Sequence, residues 1–310
     1  MTAQFKTGEV DYYLKFLPEY AGRAVDNAGD EVKARLTEIR LRENAPLSLT
    51  VGRENMLIDA QGRRAGINGC VRVSKGELAL CVNKLCDGSY HAQADNIRNG
   101  FIITGAGHRV GVCGKIIYNG REVIIDEVTS VNMRVNRFVA FPECRILELI
   151  KKRGLAGILI YSPPGGGKTT LLRYIAAALS KGLHGLKKYR TALIDERREL
   201  YMESKMRGGL LDIFYGYRKC DGIDCATRTL NPDIIICDEI GALEDTQAIL
   251  SAQNSGVPLI ATTHAGSLAQ LSRKPNINAL TENGVFEYLV GIRLGDDNII
   301  RYEIERCGHD

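Results

Sequence analysis

Gly157–Leu172 reads GILIYSPPGGGKTTLL: a short apolar run, a glycine-rich turn carrying one lysine and two threonines, then an apolar-periodic stretch. That order predicts a strand, a phosphate-binding loop and a helix. Successive glycines let the backbone wrap an anion, with N–H groups turned inward and the positive end of the next helix behind them. In this pattern Lys168 reaches the β- and γ-phosphates, and Thr169 places its hydroxyl on Mg2+. The residues expected around the phosphates are Ser162, Pro163, Pro164, Gly165, Gly166, Gly167, Lys168, Thr169 and Thr170. The pattern asks for glycine at its first position, where this chain has Ser162, a residue that also holds many turn conformations.

Farther along, Ile234–Glu239 reads IIICDE, a buried strand ending in two carboxylates. Beside a phosphate loop, Asp238 suits Mg2+, directly or through its water, and Glu239 suits polarising an attacking water. Metal-assisted phosphoryl transfer needs both the fixed cation and the oriented nucleophile. Leu259–His264, LIATTH, is another apolar strand with a polar end. Ligands of open α/β sheets bind at the carboxyl ends of strands, which places Thr263 and His264 near the γ-phosphate as sensors of its presence. A histidine that merely caps a strand is the plain alternative.

Ile194–Glu199, IDERRE, ends a third strand in acids mixed with arginines. Asp195 and Glu196 are candidates for positioning water or Mg2+, while Arg197 and Arg198 suit an ordinary solvated ion-pair network equally well. Arg228, in ATRTLNPD ahead of the acidic strand, carries a planar fork that fits phosphate oxygens, in its own subunit or the next. A structural salt bridge is the alternative for it.

At 310 residues the chain is long enough for two cores. An apolar fraction of 45% and a charged fraction of 25% are those of an ordinary globular protein, and a net charge of +4 gives no strong nucleic-acid signal. Nine cysteines show no zinc-like spacing. An odd count with a charged first stretch lacking an apolar signal core points to reduced thiols in a cytoplasmic compartment. No run is long enough to cross a bilayer, so membrane contact is expected to be peripheral, through partners or a surface helix.

The first half alternates short segments. A helix is expected around Val10–Leu17, strands at Leu36–Leu41, Leu47–Val51 and Met56–Ile58, and a helix capped by Ser74 with Glu77. A further helix is expected at Ser89–Asn99 and a strand at Phe101–Thr104, then hairpins with Asn119-Gly120 as the strongest turn signal. Val131–Val135 is a further alternating segment. A helix over Pro142–Lys152 leads into the second half, where apolar strands alternate with crossovers, as in a parallel sheet covered on both faces. Phe286–Arg293 and Ile299–Ile304 read as a closing hairpin around Gly295–Asn298. The expected division is an N-terminal α+β domain, 1–145, and an α/β domain, 146–310.

SPPGGGKTTLLR at Ser162–Arg173, IDERREL at Ile194–Leu200 and NPDIIICDEIG at Asn231–Gly241 resemble the sporulation stage III protein AA family of endospore-forming bacteria. EIRLRENAPL at Glu38–Leu47 and GFIITGAGHRVGVCG at Gly100–Gly114 extend the resemblance over nearly the whole chain. That family is itself similar to type II/IV secretion and pilus ATPases. The resemblance implies a RecA-like P-loop NTPase core with a smaller N-terminal α+β domain, binding ATP and Mg2+. It implies hexameric rings with nucleotide at the subunit junction, serving membrane channel proteins of the sporulation stage III complex from the mother-cell cytoplasm. Secretion ATPases carry an arginine ahead of the acidic strand, matching Arg228, and a histidine box after it, matching His264. Their acidic box matches Asp195–Glu199 loosely. Their N-terminal domains lend arginines to the site, which makes Arg109, Arg134 and Arg137 candidates. This chain departs in carrying Asp238-Glu239 where many of them have Gly-Glu, and in having no tetracysteine zinc insertion.

Three readings follow: an oligomeric ATPase motor for a membrane complex, a nucleic-acid-translocating ATPase, and a non-hydrolysing nucleotide switch or scaffold. Glu239 favours the first over the last.

Overall fold

The computed structural model describes residues 8–52, 54–119, 122–136, 138–253, 255–295 and 299–308. Gly120 of the expected Asn119-Gly120 turn, Asp296–Asn298 of the closing turn and Arg137 lie outside them. The chain forms two compact units, 1–137 and 138–310.

In the first unit three short helices come first, α1 (Gly8–Leu14), α2 (Glu19–Asp26) and α3 (Asp30–Arg35). The strands β1 (Leu36–Arg42), β2 (Ala45–Pro46), β3 (Ser48–Val51), β4 (Glu54–Ile58), β5 (Arg64–Ala65) and β6 (Arg72–Val73) follow. Helices α4 (Lys75–Leu85) and α5 (Tyr90–Arg98) then precede β7 (Phe101–Ile103), β8 (Arg109–Asn119) and β9 (Glu122–Arg134). Ser74 and Glu77 form the expected reciprocal cap of α4. The expected helix around Val10–Leu17 is displaced toward α1, and Val131–Val135 belongs largely to the long strand β9 rather than standing alone. Seven strands pair in the order β5-β4-β3-β1-β9-β8-β7, every contact antiparallel. Period-two alternation sends Ile39 and Leu41 inward with Leu49, Met133 and Ile102, all fully buried with Tyr13 and Leu78.

The second unit contains α6 (Arg145–Arg153), β10 (Ile158–Ser162), α7 (Lys168–Lys181), β11 (Thr191–Asp195) and α8 (Glu203–Met206). It continues with β12 (Leu211–Tyr215), α9 (Lys219–Thr229), β13 (Ile234–Cys237), α10 (Leu243–Gln253) and β14 (Leu259–His264). Helices α11 (Leu268–Leu271) and α12 (Pro275–Glu282) lead to the final hairpin, β15 (Tyr288–Leu294) and β16 (Ile300–Arg306).

The sheet runs β12-β11-β13-β14-β10-β15-β16, parallel throughout except for β16. Successive residues of β10 face opposite layers. Ile158 and Ile160 pack with Leu171, Leu172 and Ile175 of α7, while Leu159 and Tyr161 pack with residues of α9, α10 and α12. Burial on both faces is why these strands are continuous apolar runs rather than alternating ones.

Two consequences position the site. The strand β14 lies between β10, which leads into the glycine loop, and the acidic strand β13, so the polar ends of all three meet at one edge. And α9, linking the parallel strands β12 and β13, must run back against them. Its first residue, Lys219, therefore lies at the carboxyl edge, and Arg228, nine residues on, about 13 Å away toward the opposite edge.

Candidate functional site

The loop Pro163–Gly167 turns β10 into α7 through two left-handed glycines, Gly165 at φ 75° and Gly167 at φ 88°. Between them Gly166 is pressed against the strand end: a Cβ there would lie 2.3 Å from the Ser162 hydroxyl oxygen. The hydroxyl of Ser162 donates to the carbonyl of Pro163 at 2.9 Å. Serine thus fills space at the loop's first position and ties the turn to itself.

Lys168, the first residue of α7, is only 6% exposed. Its three N–H groups are shared among nearby acceptors: the Ser162 carbonyl lies at 3.1 Å, the Ser162 hydroxyl at 3.3 Å and the Pro163 carbonyl at 3.3 Å. The ammonium also lies 2.9 Å from Nδ1 of His264. The parallel register brings this about, because Ser162 and His264 are direct partners between β10 and β14. Burial draws the Lys168 ammonium below the ordinary lysine range, with the carboxylates of Asp238 and Glu239 pulling the other way.

At the second residue of α7, the Thr169 hydroxyl donates to Oδ2 of Asp238 at 2.8 Å. The second oxygen of Asp238 accepts from the Thr262 hydroxyl, and that hydroxyl oxygen accepts from the backbone N–H of Glu239 at 2.8 Å. Thr262 therefore fixes both acids at once. Glu239 holds a left-handed backbone, φ 47°, a conformation that glutamate adopts only where its surroundings impose it. Its Oε1 lies 3.3 Å from Nε2 of His264, and its Oε2 accepts from Arg197 at 2.8 Å.

Thr169 and Asp238 present adjacent hard oxygens beside the glycine loop, a donor set that fits Mg2+. Among the described residues no group of three or more histidine, cysteine, aspartate or glutamate side chains is gathered as a metal cluster.

Other expected residues stand differently. Asp195 is buried and accepts three backbone N–H groups, from Glu199 at 2.8 Å, Leu200 at 3.0 Å and Tyr201 at 2.9 Å. It organises its own loop, and it lines one crevice with Asp238 and Glu239. Glu196 pairs with Lys219 at the start of α9, although it lines one crevice with Asp238 and Glu239. Thr263 points to the opposite face from Thr262 and accepts from Lys274 at 3.2 Å. Thr262, on the same face as His264, is the threonine that meets the acidic residues, and period-two alternation from His264 is the signal that distinguishes the two. Arg228 is exposed, with 74% of its side chain open to solvent, and pairs with Asp224 one turn earlier. The reversal of α9 carries it away from Lys168 in its own chain. In the first unit Arg109 lies over the ring of Phe101 at 3.9 Å, and Arg134 ends β9.

The sporulation stage III, protein AA family matches residues 21–300. Stage III sporulation protein AA of Bacillus subtilis (strain 168) is 27% identical over 277 residues, covering 87% of each chain. In fold, the chain is similar to the Legionella pneumophila ATPase DotB, with a TM-score of 0.62, 16% identity and coverage of 93% of this chain and 80% of that one. The pilus retraction motor PilT with bound ADP follows at TM-score 0.60, 17% identity and coverage of 88% and 80%. At such identities the likeness is one of fold: a RecA-like P-loop core.

Proposed function

This chain belongs to the sporulation stage III protein AA family, and on that premise we propose that it is a Mg2+-dependent ATPase working as an oligomeric ring. The observation that supports this reading is the convergence of Lys168, Thr169, Asp238, Glu239 and His264 at the carboxyl edge of one sheet.

In this account the loop from Ser162 to Thr170 cradles the phosphates through its backbone N–H groups and the end of α7. Lys168 leaves its carbonyl partners for the β- and γ-phosphate oxygens. Thr169 and Asp238 hold Mg2+, which when bound offsets charge on the phosphate oxygens. Glu239 orients and polarises the attacking water, and His264, released by Lys168, meets the γ-phosphate. Arg228 serves the site of a neighbouring subunit, which its exposure favours over its own. Glu196 acts at a distance, by fixing the start of α9 through Lys219. Arg109, Arg134 and Arg137 are further candidates from the N-terminal domain, whose boundary we place near 145.

The ring is proposed to be hexameric, to act from the mother-cell cytoplasm and to engage membrane channel proteins of the stage III complex. No described helix is long and apolar enough to cross a membrane. The test is ATP hydrolysis by the purified chain across a concentration series, with Lys168→Ala as control and single- and double-stranded DNA added in parallel. Turnover that rises steeply with concentration, ignores DNA and vanishes in the control supports the motor. Salt-sensitive stimulation by DNA replaces it with a translocase. Tight ATP binding without turnover at any concentration replaces it with a switch or scaffold.

A further inference from the structure

Both oxygens of the Glu239 carboxylate have a partner, and the two partners are anchored differently. Oε1 faces His264, whose other ring nitrogen is 2.9 Å from Lys168. A phosphate that draws Lys168 away therefore disturbs His264 as well. Oε2 accepts from Arg197, which stands in the loop after β11. That loop is fixed from two sides. The buried Asp195 carboxylate gathers the N–H groups of Glu199, Leu200 and Tyr201, and Arg173 of α7 donates to the carbonyls of Glu199 and Leu200.

We propose that Arg197 is a positioning residue for Glu239, holding its carboxylate in place while Lys168 and His264 turn to the nucleotide. This rests on the hydrolytic reading of Glu239. A carboxylate has about four lone-pair sites, so one bond from Arg197 leaves room for a water on the same group. Arg197 reaches the acid because β11 and β13 are neighbours in the sheet, with Ile194 opposite Cys237, so the loops that follow them emerge side by side. An exposed ion pair adds little to stability, and Arg197 is more than half exposed, so its removal leaves the fold intact.

The experiment measures steady-state ATP turnover of the full chain for wild type, Arg197→Ala, Arg197→Lys, Glu239→Gln and the Arg197→Ala/Glu239→Gln double variant. Affinity for a fluorescent ADP analogue is measured beside it. Arg197→Ala should lower kcat roughly tenfold, a fraction of what a general base supplies, with KM and ADP affinity unchanged. Arg197→Lys should recover part of the loss, since a single charged donor remains. In the Glu239→Gln background the arginine should no longer matter. Unchanged turnover in Arg197→Ala, or the same fold loss with and without Glu239, overturns the proposal alone. A wild-type chain that never turns over overturns the hydrolytic reading and takes this proposal with it.

Discussion

Nζ of Lys168 and Nδ1 of His264 lie 2.9 Å apart across 96 residues of sequence. An ammonium has no acceptor, so Nδ1 accepts and the ring proton sits on Nε2, facing Glu239. Loop lysine, strand-end histidine and acid are therefore one connected chain. A ligand that takes the lysine alters the histidine's hydrogen bonding, which in the proposed ATPase would register nucleotide.

His264→Ala should slow turnover roughly tenfold while ADP affinity stays within about twofold, because the ring is assigned to the reacting phosphate and not to the cradle. Steady-state kinetics with a separate ADP titration check this. Equal losses in affinity and rate would assign His264 to ground-state binding.

Gly166→Ala should abolish nucleotide binding. Its Cβ would stand 2.3 Å from the Ser162 hydroxyl oxygen and 2.8 Å from Ser162 Cβ. Adding Ser162→Gly removes both contacts and should restore binding in part, whereas Ser162→Gly by itself should change affinity little. Calorimetric titration with ADP measures all three. A double variant as poor as Gly166→Ala would mean that the backbone, not the serine, sets the limit.

Thr262→Val keeps the shape but strands a carboxylate oxygen of Asp238 and the N–H of Glu239. Unpaired groups of this kind cost about 1–3 kcal/mol each where they are shielded from water. Unfolding by urea should show that loss, and the Mg2+ concentration giving half-maximal turnover should rise. An unshifted Mg2+ dependence would detach Thr262 from the cation site.

Burial pushes the Asp195 carboxyl above its ordinary range, against the pull of three backbone N–H groups and Arg173. The folded chain then binds that proton more tightly than the unfolded one. Its contribution to stability is fully present below the ordinary value of 3.8 and is lost as pH rises through the folded-state value. The stability of wild type relative to Asp195→Asn should accordingly fall as pH rises above 3.8, read from urea midpoints. A relative stability that rises over that range would show that the N–H donors outweigh burial.

Local signals carried most of what the sequence revealed. The glycine loop, the acids after IIIC and the polar end of LIATT are contiguous patterns, and the two-faced burial of the strands follows from their uninterrupted apolar runs. What stayed hidden depends on which strands become neighbours. Arg197 meets Glu239 only because β11 lies beside β13, and no spacing in IDERRE announces it. That Arg228 stands toward the opposite edge from Lys168 was not legible, since that follows from the direction of α9. Helices α2 and α3 escaped notice because they are only 8 and 6 residues long. Segments that short are held by packing, not by their own periodicity.

The most direct measurement pairs ATP binding with ATP turnover in Glu239→Gln and Lys168→Ala, each assayed at protein concentrations that allow assembly. Glu239→Gln should bind ATP as wild type does and turn over at least about a hundredfold more slowly, and Lys168→Ala should lose binding itself. Wild-type turnover in Glu239→Gln would contradict the account at its centre, because the water-polarising acid would then lie elsewhere.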